Sequence, residues 1–235
     1  MARSAPSDPD LRQTLLDRLN TAVVGDCLDK LGYHHQFLAP GLSPLSPSRN
    51  KLVGRAFTVN QETRPTPTNR PGPDDKPFGL LFEALDDLKE GEVYLATAGP
   101  GPGEVSPPYA LFGGLMATRA RHLKAAGAVL DGYVRDSEEI ERLGFTVFSR
   151  GLYAQDQGAR GRVTAYRCEV KIGEVVVRPG DLVFADCEGV VVIPTAVEEE
   201  VVARALEKVG TEGQVESAIK KGMGAAEAYR RFGVF

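Results

Sequence analysis

Two short apolar runs separated by a helical stretch constrain this chain more than any other feature. EVYLATA (Glu92–Ala98) and AVLDG (Ala128–Gly132) read as buried strands. Between them GLMATRARHLKAA (Gly114–Ala126) reads as a helix, with Gly127 as its C-terminal cap. A β-α-β unit of this kind makes its strands parallel, and the crossover is right-handed in nearly all cases. Parallel strands share one C-terminal edge, and the helix starts there. The Gly113–Gly114 turn and the Tyr133-Val134-Arg135-Asp136 loop are therefore predicted to be neighbours in space. Open α/β sheets bind ligands outside the C-terminal ends of their strands, so topology places a candidate site before any motif is invoked.

The remaining segments extend this unit. Residues 11–31 carry apolar positions at helical spacing interrupted at Thr21–Gly25, which predicts two short helices joined by a turn. KLVGRAFTVNQ (Lys51–Gln61) alternates as a strand does, Phe78–Leu88 has helical periodicity, and SEEIERLG (Ser137–Gly144) is a short helix before the strand FTVFSRG (Phe145–Gly151). Between Thr63 and Pro77 five prolines exclude a helix or an internal strand and predict an exposed surface loop; a Gly/Pro loop follows at Gly99–Tyr109. The valine runs of Glu169–Pro194, broken by Gly173 and by Pro179-Gly180-Asp181, predict hairpin-like antiparallel strands. Residues 196–220 form an amphipathic helix, and AAEAYRRFGVF a short final one. The expected fold class is α/β: a parallel β-α-β unit followed by antiparallel strands, with N-terminal helices in residues 1–31 and C-terminal helices in 196–235.

Each group at the predicted edge has a chemical use. The first amides of the helix, at Gly114, Leu115 and Met116, have no acceptor within it and suit a carboxylate. Arg135 offers a planar fork for a carboxylate or for developing enolate charge. Asp136 is a hard oxygen donor suited to magnesium or manganese, which keep several waters and take one or two protein carboxylates. Glu139, one turn later on the same face, is placed to hold a water of that metal. A plainer reading stays open: Asp136 followed by Glu139 is also a capping-box variant serving helix stability alone.

Composition removes other classes. No run approaches the length needed to cross a bilayer, and the N-terminus MARSAPSDPDLRQ lacks a secretory apolar stretch, so a cytoplasmic, soluble protein without a membrane partner is expected. A net charge of −4 gives no general attraction to nucleic acid. Three widely spaced cysteines, Cys27, Cys168 and Cys187, make neither a disulfide framework nor a zinc pattern and read as packing thiols. His34, His35 and His122 are read as exposed or packing residues.

At the candidate site the sequence resembles the RraA-like family, which includes the 4-hydroxy-4-methyl-2-oxoglutarate/4-carboxy-4-hydroxy-2-oxoadipate aldolases. That family's aldolase signature is a glycine, 20 residues, Arg-Asp, two residues, and Glu or Asp. Gly114, positions 115–134, Arg135-Asp136, Ser137-Glu138 and Glu139 match it in full. TAVVGDCLDKLG, KLVGRAFTV, AGAVLDGYVRDSEEI, VRPGDLVFADCEGVVVIP and AIKKGMGAAEAYRRFGVF carry the resemblance along most of the chain.

The resemblance implies a swivelling β/β/α fold over residues 1–235 as one domain, assembled as a homotrimer or a dimer of trimers with sites between subunits. It implies a class II pyruvate aldolase using a divalent metal, Mg2+ or Mn2+, on a small 4-hydroxy-2-oxo acid, with oxaloacetate decarboxylase activity alongside. By position Arg135 stabilises the enolate, Asp136 binds the metal, and Gly114–Met116 hold the substrate carboxylate. Family sites also receive an acidic residue from a neighbouring subunit's C-terminal helix, for which Glu212 is the candidate. The histidine that relatives often carry is missing between Val59 and Leu88, and the loop at 63–77 is long for the family, which leaves the substrate's identity open. The competing implication is a non-catalytic regulator that binds ribonuclease E. A methyltransferase reading finds no glycine-rich cofactor loop.

Overall fold

The computed structural model describes residues 9–68, 76–99 and 107–234. In chain order its elements are α1 (Pro9–Arg18), α2 (Thr21–Lys30), β1 (Ser43–Pro44), β2 (Leu52–Thr63), α3 (Leu81–Asp87), β3 (Glu92–Thr97), β4 (Ala110–Phe112), α4 (Gly114–His122) and β5 (Gly127–Val134). There follow α5 (Ser137–Leu143), β6 (Val147–Leu152), β7 (Gly161–Tyr166), β8 (Val170–Ile172), β9 (Val175–Val177), β10 (Leu182–Asp186), β11 (Gly189–Ile193), α6 (Glu198–Lys220) and α7 (Ala225–Phe232).

Among the described residues nine strands form one sheet in the order β1-β6-β5-β3-β2-β10-β11, with β4 added to β5 and β7 to β2. Its centre, β6-β5-β3-β2, is parallel, whereas β1, β7, β10 and β11 pair antiparallel. The expected α/β class with parallel and antiparallel parts is thus observed. β8 and β9 form a separate hairpin.

The strand sequences explain which strands lie at the centre. Along β5, Ala128, Leu130 and Val134 pack with Phe57, Tyr94, Phe112 and Ile140 on the face covered by α3, α4 and α5. Val129 faces the other way, onto Val93, Leu95, Phe148 and the β8–β9 hairpin. A strand buried on both faces must be apolar nearly throughout, which is why AVL stands without alternation. β10 and β11 use the same logic: Val183 and Val192 join the hairpin side, while Phe184 and Val191 receive Leu15, Leu28 and Val201 from α1, α2 and α6.

Several boundaries differ from expectation. The break between the first two helices lies at Leu19–Asn20, because the Asn20 side chain accepts from the Val23 amide at 2.8 Å and starts α2 there; Thr21–Gly25 is helical. Phe78 and Gly79 both take positive φ, 63° and 66°, which keeps them out of α3. The helix from Gly114 ends at His122 rather than Ala126: Lys124 at φ 60° reverses the chain, and Gly127 opens β5 instead of capping. The three-residue strand β4 is too short to show a period in the sequence. Residues 195–197 form a 3-10 turn ahead of α6. Of the proline-rich loop, 69–75 lie outside the described residues, as do 100–106 of the Gly/Pro loop, 1–8 and 235. The described flank of the former is tied down by Arg64 N–H to the Arg160 carbonyl (2.7 Å) and Thr68 N–H to Ala159 (2.8 Å).

Candidate active site

Three parallel strands end together. Phe112 of β4 stands opposite Val134 of β5, and Val134 opposite Leu152 of β6. The ladder continues one step further through Arg135 N–H to the Phe112 carbonyl (3.1 Å) and Tyr153 N–H to Val134 (3.0 Å). Gly113, Arg135 and Tyr153 therefore leave the sheet at one edge, as the sequence predicts for the first two, although it is β4 rather than β3 that delivers α4 to it.

Asp136 then takes a left-handed backbone, φ 58° and ψ 39°. Aspartate tolerates this conformation better than most residues, but an N-capping side chain works from an extended backbone. The Asp136 carboxylate makes no capping bond to α5; its Oδ2 accepts the Gly114 amide at 3.0 Å instead. The capping-box reading is overturned on this geometry. One of the three amides assigned to a substrate carboxylate is also occupied. Ala117 donates to the Gly113 carbonyl, which leaves Leu115 and Met116 as the amides of the first turn without an acceptor inside the helix.

Glu139 joins the same cluster. A Cβ built on Gly114 would stand 2.7 Å from Glu139 Cδ and 3.2 Å from Asp136 Cβ, so both acidic side chains lie against the start of α4, where the helix dipole favours negative charge. Arg135 lies alongside: its Nε is 3.6 Å from Asp136 Oδ2, and its Nη1 is 3.0 Å from Oδ1 of Asp156. All three side chains are about two-fifths exposed, at 38% for Arg135 and 43% for each aspartate, so ligands can reach them. Around them Leu115 (83% exposed), Leu152 (61%) and Tyr153 (44%) form an apolar rim, with Tyr153 set edge-on against Tyr133.

Asp156 is the residue that sequence reasoning missed. It lies in the irregular segment between β6 and β7, without periodicity or motif. The available signal was topological, since a loop following a parallel strand opens onto the same edge as the Arg135 loop. Glu212, by contrast, is not brought to this cluster within the chain: it lies on α6, 3.3 Å from Lys208, which also pairs with Asp26. Burial would lower the Lys208 ammonium, but hydrogen bonds and charge from Asp26 and Glu212 together outweigh it and raise it. His34, His35 and His122 are exposed, and His34 stands 3.5 Å from Asp29.

The donor set bears on the implied metal. Among the described residues no group of three or more His, Cys, Asp or Glu is arranged around a common point, so a closed site of the zinc type is not built. Two adjacent carboxylates, Asp136 and Glu139, without nitrogen or sulfur donors, do fit magnesium or manganese, whose other positions are filled by water and substrate.

The fold and this edge define an α/β protein of a known class, and the chain belongs to the RraA-like family, whose model, described as Aldolase/RraA, matches residues 21–192. Among its relatives is a Halalkalibacterium halodurans protein named "Putative 4-hydroxy-4-methyl-2-oxoglutarate aldolase", 34% identical over 211 residues and covering 89% of each chain. Protein DlpA of Legionella pneumophila is 29% identical over 214 residues; the match takes in 91% of this chain and 32% of DlpA, so the chain spans about a third of that relative. Among solved structures, RraAS2 of Streptomyces coelicolor, described as an unusual member of the RNase ES inhibitor RraA protein family, superposes with a TM-score of 0.74 at 25% identity, covering 89% of this chain and 96% of that one. The expected RraA-like fold is the one observed. No helix among the described residues is long and apolar enough to cross a membrane.

Proposed function

We propose that the chain is a class II pyruvate lyase that cleaves a 4-hydroxy-2-oxo acid, such as 4-hydroxy-4-methyl-2-oxoglutarate, to pyruvate and a second oxo acid, with oxaloacetate decarboxylation by the same chemistry. The observation that carries this reading is the convergence of Arg135, Asp136 and Glu139 on the start of α4. Asp136 would hold the divalent cation and Glu139 a water of it, and the relative named as an aldolase adds support. When bound, magnesium or manganese supplies Lewis-acid polarisation of the substrate's keto oxygen.

The chain's own groups account for the remainder. The Leu115 and Met116 amides, at the positive end of α4, bind the carboxylate of the pyruvate portion. As the C3–C4 bond breaks, its electron pair passes to the enolate, the C4 hydroxyl gives its proton to water and becomes the carbonyl of the departing oxo acid, and C3 later takes a proton from water to give pyruvate. Arg135 presents its guanidinium to the enolate oxygen that gains charge. Such a donor is worth most where the charge develops, because it then favours the transition state over the ground state. The same enolate forms whether an oxo acid or carbon dioxide departs, which gives the two activities one site. The apolar rim of Leu115, Leu152 and Tyr153 suits burial against a second copy in a trimer or a dimer of trimers.

A coupled pyruvate-release assay over 4-hydroxy-2-oxo acids and oxaloacetate, with magnesium, manganese or chelator, tests the reading. Chelation is expected to abolish release, and Arg135→Ala to lower kcat by about 10²- to 10³-fold with an unchanged circular dichroism spectrum. Full activity in that variant would show that the guanidinium does not stabilise the enolate. The resemblance to RraAS2 favours a second reading, a ribonuclease-binding regulator; capture of a ribonuclease by a preparation that releases no pyruvate would put it first.

A further inference from the structure

Arg135 is held by a carboxylate that lies outside the spaced signature. Its Nη1 meets Asp156 Oδ1 at 3.0 Å, whereas its approach to Asp136 is looser, at 3.6 Å from Nε. Asp136 is also shared. The same oxygen accepts the Gly114 amide, and in the lyase reading Asp136 holds a cation whose charge offsets its pull on the guanidinium.

Asp156 has no such second duty and is braced from several directions. Its Oδ2 accepts the Gly158 amide at 2.8 Å, and its carbonyl accepts Arg160 Nη1 at 3.1 Å. One residue earlier, the Gln155 carbonyl takes the Ala110 amide at 2.8 Å and ties the segment to β4. The space behind the carboxylate is closed: a Cβ on Gly158 would stand 2.7 Å from Asp156 Oδ2 and 3.0 Å from Phe78 Cζ. The ion pair of Asp156 with Arg135, at 3.0 Å, is the closer of the two that Arg135 makes with the aspartates of the site.

Resting on the lyase reading, we infer that Asp156 is the positioning residue of the site: it holds the Arg135 guanidinium at the edge where the enolate oxygen develops, and keeps it there once a cation has claimed Asp136. Asp156 touches no reacting atom; it acts through Arg135. Misplacing a catalytic group by about 1 Å can cost on the order of 10²-fold in rate, so the contribution is measurable.

Two variants separate charge from placement. Asp156→Asn removes the charge. Gly158→Ala keeps it but drives the carboxylate forward, and the φ of Gly158 lies outside the left-handed region, so alanine fits the backbone. Asp156→Asn is expected to lower kcat for pyruvate release by about 10²-fold, with KM and the unfolding midpoint nearly unchanged, and Gly158→Ala to lower it less. Arg135→Ala/Asp156→Asn is expected to be no slower than Arg135→Ala alone, because a group acting through another has nothing left to act on. Calorimetry with magnesium and oxalate, a planar analogue of the pyruvate enolate, gives a readout without turnover: Asp156→Asn should weaken oxalate by about 10-fold or more and pyruvate much less. The inference is overturned by wild-type kcat in Asp156→Asn, by losses that add in the double variant, by a midpoint that falls with activity, or by equal oxalate affinity in both proteins. Wild-type protein that releases no pyruvate from any substrate refutes the lyase reading instead, and the oxalate comparison then decides the role of Asp156, with no oxalate binding by either protein counting against it.

Discussion

A methyl group at position 114 would press on the Glu139 carboxylate and crowd Asp136, while the amide of the same residue must keep its bond to Asp136. Gly114→Ala is therefore expected to push Glu139 aside and lower pyruvate release by about 10- to 100-fold, the range typical of disturbing groups that orient a metal's ligands. Thermal melting should hardly change, since alanine suits a helix better than glycine. Kinetics and a melting curve on the one variant check both halves. Gly114, Arg135, Asp136 and Glu139 were legible in the sequence because their spacing is itself the geometry: one helix start, one strand end and one helical turn. Asp156 was not. Its relation to Arg135 exists only after β6 has paired with β5 and the loop beyond it has reached β4, and nothing local in LYAQDQG foretells that.

Elements are tied together by a few buried charges. Glu198, at the first position of α6, receives both terminal nitrogens of Arg55 on β2, with 2.8 Å between Nη2 and Oε1; the side chains are 15% exposed for Arg55 and 7% for Glu198. Arg55 Nη1 also donates to the Gly180 carbonyl at 3.0 Å. Glu198→Ala would leave this guanidinium buried without a counter-charge and is expected to cost about 3 kcal/mol in urea unfolding. Arg55→Met/Glu198→Leu should recover much of that loss, because removing both charges also removes their desolvation. Helix and strand identities were largely readable from periodicity, whereas their ends were not. Lys124 reverses the chain in a conformation usually left to glycine, and so the sequence pointed to Gly127. β4 escaped notice because three residues beside a Gly/Pro loop give no period to detect.

At the scale of the whole molecule the parallel centre followed from β-α-β logic, but the strand order could not. Which strands lie beside β2 depends on contacts between distant segments that leave no spacing pattern. Burial across the fold also orders the thiols. Cys187 is exposed and Cys168 partly so, whereas Cys27 is buried beneath α6 and its thiol is pushed up by burial, then modulated by nearby charges led by Lys208. A thiol reagent should label Cys187 first and Cys27 last, the latter at least about 10³-fold slower if it reacts only through global opening; Cys27 labelling as fast as Cys187 in native protein would mean that α2 opens locally. β2 itself pairs with β3 on one side and with β10 and β7 on the other, Arg55 standing opposite Leu182. On a ribosome β3 follows β2 closely, but β10 is made more than a hundred residues after it, Leu182 against Arg55, a delay on the order of ten seconds at ordinary elongation rates. Throughout that interval an apolar strand edge has no mate of its own, and vectorial synthesis exposes to other nascent chains the very seam that the finished sheet conceals.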